Sequence, residues 1–269
     1  MASNINLTIL ILIFHLILLT LNFEILEMIT DFEQKNQFTK KDFLGYRDNI
    51  WSERYCSIIQ KYIDGKLYHC EMMVNHNEVI YSQARQYSYP NHKLLEGKII
   101  ASFPIDNDEL RREIEDKAHR VQKSLKFKNG IMHTEFFVDL KGDIKFLETN
   151  IRQAGGGINL IHKKRLGISL ETAMILLEAE QDLYVQVRTS KHHTSGYIPM
   201  KKGRVVGFME PDLVGDVEFQ KKVKIGDTCH SPKSASNAAL SYIGEYDSIK
   251  EIKDDFKFLE SYNTVMYEI

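Results

Sequence analysis

Glycine is absent from the first 44 residues of this chain; the first to occur is Gly45. That stretch therefore holds no glycine-rich loop of the kind whose backbone N–H groups cradle phosphates. It also lacks lysine and arginine before Lys35, which removes the basic n-region of a secretory signal. Cysteine is scarce: Cys56, Cys70 and Cys229 are odd in number and form no C-x-x-C pair. They argue against a disulfide framework or a structural zinc site and fit a reducing compartment. No charge of either sign dominates, since the formal net charge is −2, so nothing points to nonspecific nucleic-acid binding. The five prolines form no linker, and there is no internal repeat or low-complexity tract. What is present is 43% hydrophobic and 27% charged residues in a chain of 269, enough for one large domain or two small ones.

The strongest signal lies in His133–Gly157. Its alternation predicts two strands, His133–Leu140 and Ile144–Ile151, around a turn that contains Gly142 and Asp143. Side chains alternate faces along a strand, so Glu148, Asn150 and, if the strand runs on, Arg152 share one face. If the loop is even, Glu135 meets Glu148 or Asn150 on that face. Two carboxylates placed together repel unless something positive lies between them. A hard divalent cation held by Glu135, Glu148 and the Asn150 amide oxygen resolves the conflict. Arg152 adds a planar fork suited to a phosphate or carboxylate. Each residue taken singly also fits a solvated surface strand; it is the combination that points to a site. Gly155–Gly157 lets the backbone approach a ligand or turn sharply into a helix.

Elsewhere the pattern is coarser. The apolar run Ile9–Leu21 has thirteen residues and reaches about nineteen only if stretched to Ile5–Phe23. It reads as a buried element, as a membrane or signal segment, or as a gene-model artefact. Phe23, Leu26, Ile29 and Phe32 suggest an amphipathic helix. Strands are expected at Ser57–Ile63, Leu67–Val74 and Glu78–Ser82, and His69 and Glu71 share a strand face. A helix is expected from about Asn107 to Lys126, with Leu110, Ile114, Ala118, Val121 and Leu125 as its apolar stripe. Ser169 caps another near Leu170–Glu180. After about Lys191 short strands at Gly196–Met200, Arg204–Phe208, Val217–Val223 and Ala238–Ile243 precede a helix at Ser248–Ser261 and a last strand at Thr264–Ile269. His192-His193 reads as a solvated pair in a loop.

The run Glu148-Thr149-Asn150-Ile151-Arg152 has the form E-x-N-x-R, with Glu135 upstream and three glycines after it. It resembles the metal-binding strand of the ATP-grasp ligases. The resemblance implies Mg²⁺ (or Mn²⁺) on Glu135, Glu148 and Asn150 against the phosphates of ATP, and Arg152 facing an acyl phosphate or substrate carboxylate. It also implies an adenine hinge at Gln60, Lys61, Tyr62 and Ile63, with Gln60 where the family usually has Glu. His69 and Glu71 are then placed to approach the ribose, and Phe137, on the face of Glu135, to pack against the base. The fold it implies is α+β: an antiparallel sheet with packed helices over 45–190, then a small α+β subdomain over 191–269, with 1–44 atypical. That subdomain resembles those of amino-acid ligases, including carnosine-synthase-like enzymes. The resemblance covers about residues 50–269, so the chain looks like the C-terminal half of such a ligase, whose Rossmann-like domain and phosphate-gripping lobe should lie upstream.

The expected activity is ATP- and Mg²⁺-dependent joining of a carboxylate and an amine, both small molecules and by expectation amino acids, through an acyl phosphate. Two alternatives stay open: a non-catalytic nucleotide-binding protein of the same fold, and a biotin-carboxylase-like or purine-pathway enzyme. The expected setting is cytoplasmic, with membrane contact only through residues 5–23, and a homodimer stays open.

Overall fold

Two hairpins and the strand between them set the frame of the computed structural model, which describes residues 63–234 and 237–268. The expected apolar run, the helix around Phe23–Phe32 and the strand before Ile63 lie outside those residues. Residues Asp64–Ile269 form one compact unit. Strand β1 (Gly65–Asn75) turns through His76 and Asn77 into β2 (Glu78–Tyr87). Both turn residues have positive φ, 49° and 70°, the conformation a two-residue hairpin demands. A short 3-10 turn, Asn91–Glu96, leads to β3 (Ile100–Pro104).

Helix α1 (Asp108–Leu125) follows. Asn107 caps it by accepting from the Glu109 and Leu110 N–H groups, and Lys126 ends it in the left-handed region. Such a cap is worth about 1 kcal/mol. Ile114 and Ala118 of the expected stripe are fully buried against Cys70, Met72 and Met132 on one face of the sheet. Then come β4 (Gly130–Asp139), β5 (Ile144–Asn150), α2 (Ile158–Leu166) and α3 (Leu170–Glu178), the last capped by Ser169 as expected. The remainder is β6 (His192–Pro199), β7 (Gly203–Phe208), β8 (Asp216–Lys221), β9 (Thr228–Cys229), β10 (Ala238–Tyr246), α4 (Ile249–Ser261) and β11 (Val265–Glu268).

Among the described residues the strands make an eight-stranded sheet, ordered β5-β4-β1-β2-β3-β6-β10-β8, and a three-stranded sheet, β11-β7-β9. Every pairing is antiparallel. The mixed α and β architecture is the one the sequence implies. The segments 45–190 and 191–269 contribute strands to one continuous sheet through the β3–β6 pairing. His192-His193 opens β6 instead of lying in a loop, and His193 is 1% exposed, bonded to Glu245 at 3.0 Å. Among the described residues no helix is long and apolar enough to cross a membrane.

Candidate active site

The hairpin that carries the carboxylates is built differently from expectation. Asp139 and Asp143 close it through a backbone bond, leaving the odd, three-residue loop Leu140–Gly142 with Gly142 at φ 89°. An odd loop in this register would set Leu147 against Glu135. A bulge between Glu135 and Phe136 shifts the pairing by one, so Glu135 lies opposite Glu148, Thr134 opposite Thr149 and His133 opposite Asn150. Bulges commonly re-aim side chains beside sites. Here Leu147 packs with Phe137 in an apolar cluster, and the next residue, Glu148, reaches the cleft.

Cross-strand partners share a face, so the register continues across the sheet as two polar rows. One row is Arg85, His69, Glu135 and Glu148; the next is Gln83, Glu71, His133 and Asn150. The face holding them is flanked by two apolar clusters, one around Leu67, Ile100 and Ile158 and one around Met73, Leu166 and Leu170. A cleft of about 680 Å³ opens over the end of the rows. Glu135, Glu148, Arg152 and Gly155–Gly157 line it, together with His133, Ser102, Tyr87, Ile100, Tyr197 and Lys222 among others.

The glycine turn is both a sharp turn and a close approach. Gly156 has φ 70°, and a Cβ there would stand 2.4 Å from the Tyr197 hydroxyl. A Cβ on Gly157 would stand 2.6 Å from the Ser195 Cβ. The turn thus seats the start of α2 against β6 and closes one end of the cleft.

Beneath the carboxylates the polar groups bond continuously. Arg85 Nε donates to Ser102 Oγ at 2.8 Å, and Ser102 Oγ meets His69 Nε2 at 2.9 Å. His69 Nδ1 meets Glu71 Oε1 at 3.1 Å, and the same oxygen lies 2.5 Å from His133 Nδ1. His133 Nε2 reaches Glu135 Oε1 at 3.2 Å, and Glu71 Oε2 accepts from the Ala154 N–H at 3.3 Å. Burial opposes charge on both Glu71 and His133, yet each overcomes it through the other. His133 is pushed up to about 10 by Glu71 and Glu135, and Glu71 is held well below the usual carboxylate range by His133 and His69. Burial lowers His69, and brings Arg85 down to about 9. Burial, then the Glu135 and Glu71 carboxylates, push Tyr87 well above the usual phenol range.

The structure thus brings together Glu135, Glu148 and Arg152 on the cleft wall. Glu135 is 6% exposed, whereas Glu148 and Arg152 are exposed. Asn150 stands behind Glu148 and donates Nδ2 to its Oε1 at 2.9 Å, which leaves Oδ1 as its ligand atom. Phe137 lies on the same face, half-buried with Leu67, Tyr87 and Ile100, as part of the cleft's apolar footing. His69 and Glu71 are the departure from expectation. Both are fully buried inside the hydrogen-bond chain and line no part of the cleft, because β1 is a central strand covered on this face. Gln60, Lys61 and Tyr62 lie outside the described residues, and Ile63 is the first described residue, partly buried and outside any strand. Sequence reasoning passed over His133 and Ser102 and gave Arg85 no role of its own. Only His133 carried a local signal, its two-residue spacing from Glu135.

A family model described as the ATP-grasp domain matches residues 26–160. An L-arginine-specific L-amino acid ligase of Bacillus subtilis is 26% identical over 188 residues, 66% of this chain and 45% of that protein. Among solved structures, the L-amino acid ligase from Bacillus licheniformis superposes with a TM-score of 0.61 at 16% identity, over 77% of this chain and 53% of its own. Phosphoribosylglycinamide synthetase from Anaerococcus prevotii gives a TM-score of 0.56 at 13% identity, over 86% of this chain and 61% of its own. The chain spans about half the length of the two amino-acid ligases it matches.

Proposed function

Because the chain belongs to the ATP-grasp domain family, we propose that it serves the ATP- and Mg²⁺-dependent joining of a carboxylate to an amine through an acyl phosphate. One observation carries the reading: Glu135 and Glu148 face each other on a cleft wall that also presents Arg152 and the Gly155–Gly157 turn. Two facing carboxylates and the Asn150 Oδ1 form a hard oxygen donor set of the kind Mg²⁺ takes, and a cation there relieves their repulsion. Bound there, Mg²⁺ would neutralise charge on a transferring phosphoryl group.

The chain's own residues then have separate tasks. Glu135, braced by His133, and Glu148, braced by Asn150, hold the cation. Arg152 donates to the Gln153 carbonyl and has no carboxylate partner among the described residues, so its guanidinium is free to bridge two oxygens of a substrate carboxylate. It keeps that grip as the carboxylate becomes an acyl phosphate. The amine then attacks the carbonyl carbon and phosphate leaves, with no covalent protein nucleophile. The similarity to L-amino acid ligases favours amino acids as the two substrates over the biotin-carboxylase and purine-pathway alternatives. The free, buried Cys70 and Cys229 go with a cytoplasmic setting.

Calorimetry with Mg²⁺–ATP, followed by ADP release with amino-acid mixtures, tests the reading. Glu135→Ala and Glu148→Ala are expected to abolish Mg²⁺-dependent nucleotide binding, and Asp139→Ala, near the hairpin turn, to preserve it. Unchanged binding in both Glu variants refutes the metal assignment. Binding without ADP release under any amino-acid mixture favours the non-catalytic alternative.

A further inference from the structure

His69, Glu71 and His133 put one ligand atom each within 4.8 Å of one another, and all three are buried. Such a cluster invites a metal, but counting protons assigns it differently. Glu71 only accepts, so the His69 Nδ1 facing it carries the ring proton, and Nε2 of this neutral ring accepts from the Ser102 hydroxyl, whose oxygen takes Arg85 Nε. Glu71 takes a second donor from His133 Nδ1, and its other oxygen is taken by the Ala154 N–H. His133 still faces a carboxylate through Nε2, so it donates there as well. Each imidazole nitrogen and both Glu71 oxygens are occupied, and the Arg85 guanidinium stands in the same row. Neither imidazole keeps a lone pair for a cation, and Glu71 alone makes no metal site.

What the arrangement does is hold Glu135. The His133 ring spans Glu71 on one side and Glu135 on the other, at 2.5 Å and 3.2 Å. Its contact takes Glu135 Oε1, and Tyr87 bonds to the same carboxylate, which lines the cleft. Glu71 in turn grips the backbone at Ala154, one residue before the glycine turn. We propose that His133 is a positioning residue: it fixes the Glu135 carboxylate for cation binding and, through Glu71, ties that carboxylate to the Gly155–Gly157 turn. This rests on the reading of Glu135 and Glu148 as cation ligands. Groups that orient metal ligands typically contribute 10–100-fold in metal affinity.

The two ring nitrogens can be replaced separately. His133→Gln places an amide N–H near the Nε2 position, toward Glu135; His133→Asn places one near Nδ1, toward Glu71. Mn²⁺ binding to the whole chain, followed by the loss of the free-ion electron paramagnetic resonance signal, gives the affinity, and thermal melting without metal gives the stability. Glu148→Gln serves as the control. The expected result is that His133→Asn weakens Mn²⁺ by about 10–100-fold, whereas His133→Gln stays within a few-fold of wild type although it melts lower. If His133→Asn does not fold, the order of His133→Gln and His133→Leu decides: Leu is expected to bind at least about tenfold more weakly than Gln. Mn²⁺ affinity unchanged in the His133 variants while it falls in Glu148→Gln, or falling only in step with melting temperature, overturns the positioning role alone. If wild type fails to take up Mn²⁺, or Glu148→Gln takes it up as wild type does, the cation site itself is refuted.

Discussion

Replacing Glu148 by Gln should make the metal-free protein more stable and the metal-loaded protein less so. Glu148 and Glu135 are direct cross-strand partners, and like charges in that relation cost about 0.2–1 kcal/mol. Gln keeps the oxygen that accepts from Asn150 Nδ2, so the substitution removes the charge and little else. At about 2–4 °C per kcal/mol for a domain of this size, melting in EDTA should rise by roughly 0.5–4 °C. Added salt should shrink the gain, because Glu148 is exposed and its repulsion is screened. Saturating Mg²⁺ reverses the order. At a hundred times its dissociation constant it stabilises wild type by about 2.7 kcal/mol. The variant, short of one carboxylate, should gain far less. Differential scanning fluorimetry in EDTA and across a Mg²⁺ titration reads both effects. A variant that melts below wild type in EDTA would mean that Glu148 is a structural acceptor, and parallel Mg²⁺ responses would remove it from the ligand set.

Arg152→Lys keeps the charge and loses the fork, so it should lower ligase turnover strongly with ATP affinity nearly unchanged; a normal rate removes Arg152 from the chemistry. His162 is fully buried, and burial depresses it to about 3 from an ordinary 6.5. It stays neutral in the fold while the unfolded chain takes up a proton, so its contribution is whole above pH 6.5 and is lost as pH falls toward 3. The loss approaches about 1.4 kcal/mol per pH unit. Urea titrations should show wild type losing about 2 kcal/mol more than His162→Phe between pH 7.5 and pH 5, and superimposable pH profiles would refute this. Gly156→Ala forces a left-handed alanine, costing about 1–2 kcal/mol, and pushes its Cβ into the Tyr197 hydroxyl. A lower melting temperature with a raised KM is expected, and a neutral result would mean that the turn has room to move.

Local signals carried the sequence reading far. The helix over Asp108–Leu125, its Asn107 cap and the Ser169 cap were all legible, because propensity, periodicity and capping act within a few residues. The facing of Glu135 and Glu148 was legible too, although by another route than an even loop. An odd loop and a bulge at Leu147 offset each other, and a bulge leaves little trace in composition. The placement of His69 and Glu71 was not legible. Strand parity put them on one face, but their burial depends on β4 pairing with β1 across some sixty intervening residues. His193 misled for a related reason: its loop-like surroundings gave no sign that β6 bridges β3 and β10.

On the proposed reading, the two polar rows give the middle of the sheet a purpose. Stability alone gives little reason to bury Arg85, His69, Glu71 and His133, since well-packed apolar residues in place of buried ion pairs are often neutral or stabilising. Apolar side chains flank the rows on both sides, so the sheet has a hydrophobic solution close at hand. Exposure rises along the first row toward the cleft: Arg85 and His69 are fully buried, Glu135 is nearly so, and Glu148 is exposed. A carboxylate as buried as Glu135 needs an internal donor to stay aimed. His133 supplies that donor, Glu71 keeps His133 charged, and His69, Ser102 and Arg85 satisfy what remains of Glu71 and its neighbours. On the proposed reading the polar interior supports an outward-facing pair of carboxylates and is carried inward as far as Arg85, whose Nη1 finds no partner among the described residues.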